Sequence, residues 1–116
     1  MMISFGWTES AFRKRKKTVT RRDWPDSHAR KFPPGSEHVA YNKQACWGGK
    51  PIGRIQIVSI RRESLNELLA DPAYGRAELK REGDLWDSVQ EFVALFQKAK
   101  HGDPYRIEFR ILEIRK

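Results

Sequence analysis

Near the end of the chain, Tyr105, Ile107, Phe109 and Ile111 alternate with Arg106, Glu108 and Arg110. Successive side chains on a strand point to opposite faces, so this pattern predicts a strand with one face in a core and the other in water. A second apolar stretch, Ile52 to Ile60, predicts a strong strand with Ile55 and Ile57 on one face and Val58 and Ile60 on the other, both at least partly buried. Between the two, Leu85, Trp86, Val89, Phe92, Val93 and Phe96 recur at helical spacing. They predict an amphipathic helix over 84–99, with Asp84 as its N-cap and Gly102 as its stop. The long strands thus flank a block of helices instead of alternating with single crossovers, which argues against a doubly wound sheet. The expectation is an α+β fold: a small mixed or closed β-barrel with helices packed on its side.

The remaining stretches fit that frame. Ile3, Phe5 and Trp7 alternate as a first strand, and Thr8 can cap a short helix over 8–15 that buries Phe12. Thr18-Val19-Thr20 is β-branched and favours an extended chain. Prolines and Asp/Gly turn residues make 23–36 irregular, 38–41 reads as a strand, and 46–51 reads as a turn. Short helices are expected over 63–69 and 72–82. Trp7 and Trp86 are assigned to the core. The chain has 116 residues, 39% of them hydrophobic, enough for one domain over 1–116 around one core.

No apolar run approaches the roughly 20 residues of a membrane helix. The first residues lack the basic-then-apolar order of a secretion signal. Cys46 is the single cysteine, so no internal disulfide is available. The three histidines and Cys46 show no metal-ligand spacing. A cytoplasmic, metal-free protein without a cofactor is expected.

Charge is concentrated. Residues 1–32 hold nine Lys/Arg against three acids, a net +6 of the chain's +8. Such a concentration favours phosphate contacts and polyanion partners, and it equally fits a solvated face that keeps a protein soluble.

The basic run Arg15-Lys16-Lys17-Thr18-Val19-Thr20-Arg21-Arg22 follows a strand and a short helix. It resembles the GxKxxxxR-type signature of the ASCH superfamily, whose fold is PUA-like; Lys17 and Arg22 match the lysine and arginine, and Arg15 stands where the family has glycine. Phe32-Pro33-Pro34-Gly35 before a strand, Gly49-Lys50-Pro51-Ile52-Gly53 leading into a long apolar strand, and Glu82-Gly83 with Leu85-Trp86 follow in family-like order. The string Lys17-Thr18-Val19-Thr20-Arg21-Arg22 is further similar to the K-T-x-T-x-R string of the small bacterial N4-acetylcytidine amidohydrolases. That resemblance implies a catalytic set of Lys17, Thr20 and a later glutamate, which falls on Glu82, with Glu78 as the competing position. The wider superfamily implies an RNA- or nucleoside-binding domain, and some of its members are ribonucleases.

Amide hydrolysis needs a nucleophile, a group to take its proton, and something to hold the developing oxyanion. Thr20 supplies a hydroxyl, and Lys17 can act as base once desolvation or nearby cations lower its pKa. Residues three apart on a regular strand face opposite ways, so Lys17 and Thr20 converge only if Lys17 lies at the helix end or on a bulge. For binding, Arg21, Arg22 and Lys43 suit phosphate, and Trp24, Tyr41 and Trp47 beside the loops suit base stacking. Each of these aromatics taken singly fits a packing role as well. His38 at a strand start is a weaker candidate for acid–base work.

Overall fold

The computed structural model describes residues 2–6, 8–44 and 47–116. Trp7 and Cys46 lie outside the described residues. The elements in order are β1 (Met2–Ser4), α1 (Glu9–Arg13), β2 (Val19–Arg22), α2 (Asp26–Ala29), β3 (Glu37–Tyr41), β4 (Pro51–Arg62), α3 (Asn66–Ala70), α4 (Pro72–Arg81), α5 (Val89–Ala94) and β5 (Tyr105–Ile114). One sheet runs β1-β3-β4-β5-β2, parallel between β1 and β3 and antiparallel elsewhere. Register shifts in β4 at Arg54/Ile55 and Ile57/Ser59 add twist and curl the sheet. The result is a curled half-barrel: β1 and β2 are its two edges, so the expected barrel stays open on that side.

The alternation at 105–111 and the apolar stretch at 52–60 become β5 and β4. Ile52, Ile55, Ile57, Ile107 and Phe109 enter the main core with Ile3, Phe5 and Phe12. Phe5 stacks on Phe12 at 4.9 Å and lies 5.4 Å from Phe109. The bulge at Ile57/Ser59 breaks one part of the β4 expectation: Val58 turns out to solvent, while Ile60 is partly buried against the core.

A second, smaller core joins α3, α4 and α5 through Leu68, Leu79, Val89 and Phe92, with Trp86 and Phe96 packed against it. The helix expected over 84–99 shrinks to Val89–Ala94. Asp84 adopts a left-handed φ of 59° in the turn that ends α4, so it cannot start a helix. The N-cap is Ser88, whose hydroxyl accepts from the Glu91 amide at 3.1 Å. None of the helices among the described residues is long and apolar enough to cross a membrane.

Candidate active site

Two helix ends build the site. α1 closes with the Lys16 amide donating to the Ala11 carbonyl (2.9 Å) and the Arg15 amide to Phe12 (3.0 Å), a Schellman turn with Arg15 at the left-handed position, φ 60°. Glycine would be the low-strain residue at this position, and Arg15 adopts the conformation at a cost. α4 closes the same way: Asp84 donates to Leu79 (2.9 Å), Gly83 to Lys80 (3.1 Å), and Gly83 takes φ 128°. A Cβ on Gly83 would stand 2.9 Å from that of Ala11, so the two helix ends meet here. Lys17 leaves the first turn and reaches the second. Its Nζ donates to the Glu82 carbonyl at 2.9 Å and to Glu82 Oε1 at 3.0 Å, with both side chains buried. An ammonium at the carbonyl end of α4 also complements the helix dipole.

Lys17 precedes β2, which begins at Val19, so the strand-parity objection does not apply to it. Thr20 and Arg22 share a face of β2: Arg22 Nε donates to Thr20 Oγ1 at 3.1 Å. Arg22 Nη2 then crosses the open side of the half-barrel to the Ser4 carbonyl of β1 at 2.6 Å. Lys17, Thr20, Arg22 and Glu82 all border one cavity of about 390 Å³, floored by Phe5 and walled by Trp86 and Phe92. That volume lies within the about 300–1,000 Å³ typical of small-molecule sites.

Arg21, on the opposite face of β2, also borders the cavity, and its guanidinium is held in an ionic layer. Its guanidinium donates to Glu82 Oε2 (2.9 Å), Glu63 Oε1 (2.6 Å) and Glu78 Oε1 (2.7 Å), all nearly fully buried. Arg106, directly across from Arg21 in the β2–β5 register, donates to both oxygens of Glu78. Tyr74 caps the layer with its hydroxyl 2.6 Å from Glu63. Three buried cations, Lys17, Arg21 and Arg106, thus face three buried carboxylates. Glu82 is fixed through one oxygen by Lys17 and through the other by Arg21.

Proton affinities follow. Burial lowers the Lys17 amine below its ordinary value of 10.5; Glu82 opposes this, and Arg22 and Arg21 add to the fall. Burial lowers the Arg22 guanidinium to about 10, which leaves it charged at neutral pH. Burial alone would raise the Glu78 carboxyl, but hydrogen bonds from Arg106 and Arg21 outweigh it and hold the group at about 2. Glu63 is likewise lowered against its burial by Tyr74 and Arg21.

The other candidates lie elsewhere. Trp24 is half-buried, with its ring 4.7 Å from Phe32 and edge-on to His28. Tyr41 ends β3, Lys43 is exposed, and Trp47 is 74% exposed; none of the three borders the 390 Å³ cavity. His38 is buried, 2.7 Å from the Ser36 hydroxyl, and outside the cavity. Glu63, Tyr74 and Arg106 were not anticipated as neighbours of the site. One signal was readable: Glu78 and Glu82 stand four apart on one helical face, and Arg21 and Arg106 are both basic at strand positions.

No family model matches the chain, and no curated protein does. Solved structures do match. A point mutant of ZmASCH from Zymomonas mobilis superposes with a TM-score of 0.63 at 20% identity, covering 98% of this chain and 71% of that one. A DUF984 protein from Enterococcus faecalis gives 0.58 at 12% identity, covering 96% and 73%. A protein from Pyrococcus furiosus gives 0.53 at 19% identity, covering 97% and 98%. The chain has an ASCH-type fold. In this fold the Lys17–Arg22 segment crosses from the end of α1 onto edge strand β2, beside the open side of the half-barrel.

Proposed function

We propose that the cavity of this ASCH-type domain binds a cytosine nucleoside and hydrolyses an acyl amide on its exocyclic nitrogen. What carries the reading is that Lys17, Thr20 and Glu82 border a single cavity while Lys17 and Glu82 stand 3.0 Å apart. Lys17, its pKa lowered by burial, takes the Thr20 hydroxyl proton as Oγ attacks the acyl carbon. The charged guanidinium of Arg22 stabilises the oxyanion and holds substrate. Lys17 then returns the proton to the departing nucleobase amine, and water hydrolyses the threonine ester to release the acid. Glu82 orients the lysine through both steps. The test is turnover of N4-acetylcytidine to cytidine and acetate. Thr20→Ala should abolish turnover while its circular dichroism matches wild type. A wild-type protein without turnover overturns the reading.

A second reading is favoured by one observation: both oxygens of Glu82 are already occupied by cations. In that reading the cavity and the basic rim, with exposed Lys43 and Trp47, bind RNA or a nucleoside without turnover. Affinity for single-stranded RNA would then fall steeply as salt is raised; salt-independent or undetectable binding excludes it.

A further inference from the structure

A second cavity, of about 510 Å³, lies on the far side of Arg22. Met2, Ile3, Trp24 and His28 line it, and Ser4 and Arg22 border it as they border the first. The partition between the two cavities is therefore the Arg22–Ser4 bridge across the open side of the half-barrel. We propose that this second cavity is a base-binding subsite, and that the ligand the protein prefers is a dinucleotide unit straddling Arg22. The proposal rests on the nucleoside reading for what occupies the first cavity.

Three features point to a second nucleotide in particular. The lining is mainly apolar and carries a large aromatic, Trp24, whose half-buried ring has Phe32 near it and His28 edge-on but still forms part of the cavity wall. Aromatic faces take nucleobases irrespective of their identity. Next, no carboxylate borders this cavity among the described residues, and its charged wall is Arg22. Finally, Arg22 spends Nε on Thr20 and Nη2 on Ser4, and no hydrogen bond occupies Nη1 among the described residues. A guanidinium pinned at two nitrogens and open at the third is a fixed donor for one phosphate oxygen. Arg22 and Ser4 border both cavities, so a phosphodiester lying over Arg22 would put its two bases one in each cavity. Unstacked single strands, whose bases splay apart, present that arrangement.

Equilibrium binding decides it. Cytidine, its 3′- and 5′-monophosphates, and the two dinucleotides that place adenosine 5′ or 3′ of cytidine are titrated by calorimetry. One dinucleotide should bind about tenfold more tightly than the corresponding monophosphate, the gain expected of one stacked base. Met2→Trp fills the cavity from an exposed edge-strand position, and Trp24→Leu removes the stacking ring. Each should erase the dinucleotide advantage, with cytidine affinity as the internal reference; because Trp24 packs against the core, Met2→Trp carries the test if Trp24→Leu unfolds. Equal affinities for monophosphate and both dinucleotides, or an advantage that survives Met2→Trp, overturn the subsite. Turnover of N4-acetylcytidine on the same preparations separates the two claims. A dinucleotide advantage without turnover leaves the subsite standing and removes the hydrolase. No binding of cytidine in any form overturns both.

Discussion

The two faces of the β2–β5 pair are built from opposite materials. One holds Ile107 and Phe109 in a dry core with stacked phenylalanines. The other holds Arg21 and Arg106 under α4, locked to Glu63, Glu78 and Glu82. The apolar face tolerates substitution gradually, because burial energy scales with area and a lost methyl removes only its own share. The ionic face is all-or-none: each charge is affordable only while its partner is present, and removing one strands the rest in a medium that cannot solvate them. A buried lysine is held more firmly by the second kind of layer. Such a layer fixes both oxygens of Glu82 and leaves no play in the position of Lys17.

The sharpest way to break this comparison is Arg21→Met set beside Ile107→Val. Arg21→Met should cost about 3–5 kcal/mol in urea unfolding, the range for orphaning a buried charge cluster. Ile107→Val should cost about 0.5–1.5 kcal/mol. Equal losses would mean that the ionic layer is no more than packing. Acid gives a second test. Unfolded Glu78 takes its proton near 4.5 and folded Glu78 near about 2, so between those values the unfolded chain holds the extra proton. The stabilisation is complete above pH 4.5 and is lost as pH falls toward 2, on the order of 3 kcal/mol from this group. Glu78→Gln should flatten that part of the stability–pH curve.

Smaller effects probe the two helix ends. Gly83→Ala forces a side chain into a φ of 128° and against Ala11, and should cost about 2 kcal/mol and displace Glu82. A thermal melt and an N4-acetylcytidine assay would read both consequences; a variant as stable as wild type would show that the contact between the ends is slack. Arg15→Gly should stabilise by about 0.5–1 kcal/mol, because glycine relieves the left-handed strain that arginine bears. No gain in the urea midpoint would mean that Arg15 makes compensating contacts.

Much of the apolar face was legible in the residue pattern, since alternation at 105–111 reports directly which side chains enter a core. The ionic face was not. Arg106 reads as a solvent position because alternation marks it polar, and only the arrival of α4 overhead turns it inward. The helix over 84–99 misled for a related reason: Leu85 keeps helical spacing yet is exposed, while Gly83 and Asp84 spend positive φ angles on ending α4. The meeting of Lys17 with Glu82 follows from two Schellman turns in contact. Gly83 is visible in the sequence, but the left-handed Arg15 and the mutual approach of the two turns are not. Arg21, basic within a basic run, reads as a phosphate ligand, and nothing near it in sequence announces its three carboxylate partners.

The order of strands in the sheet also governs when the site can exist. β2 carries Thr20 and Arg22, yet among the described residues its one strand partner is β5, made long after it. Until β5 emerges, the Lys17–Arg22 run has neither its strand partner nor Arg106 beside it. Pairings between distant parts of a chain form slowly, because the loop must close before any contact rewards it. A nascent chain of this protein therefore has the carboxylates that face Lys17 and Arg21 before it has the strand that anchors Thr20 and Arg22.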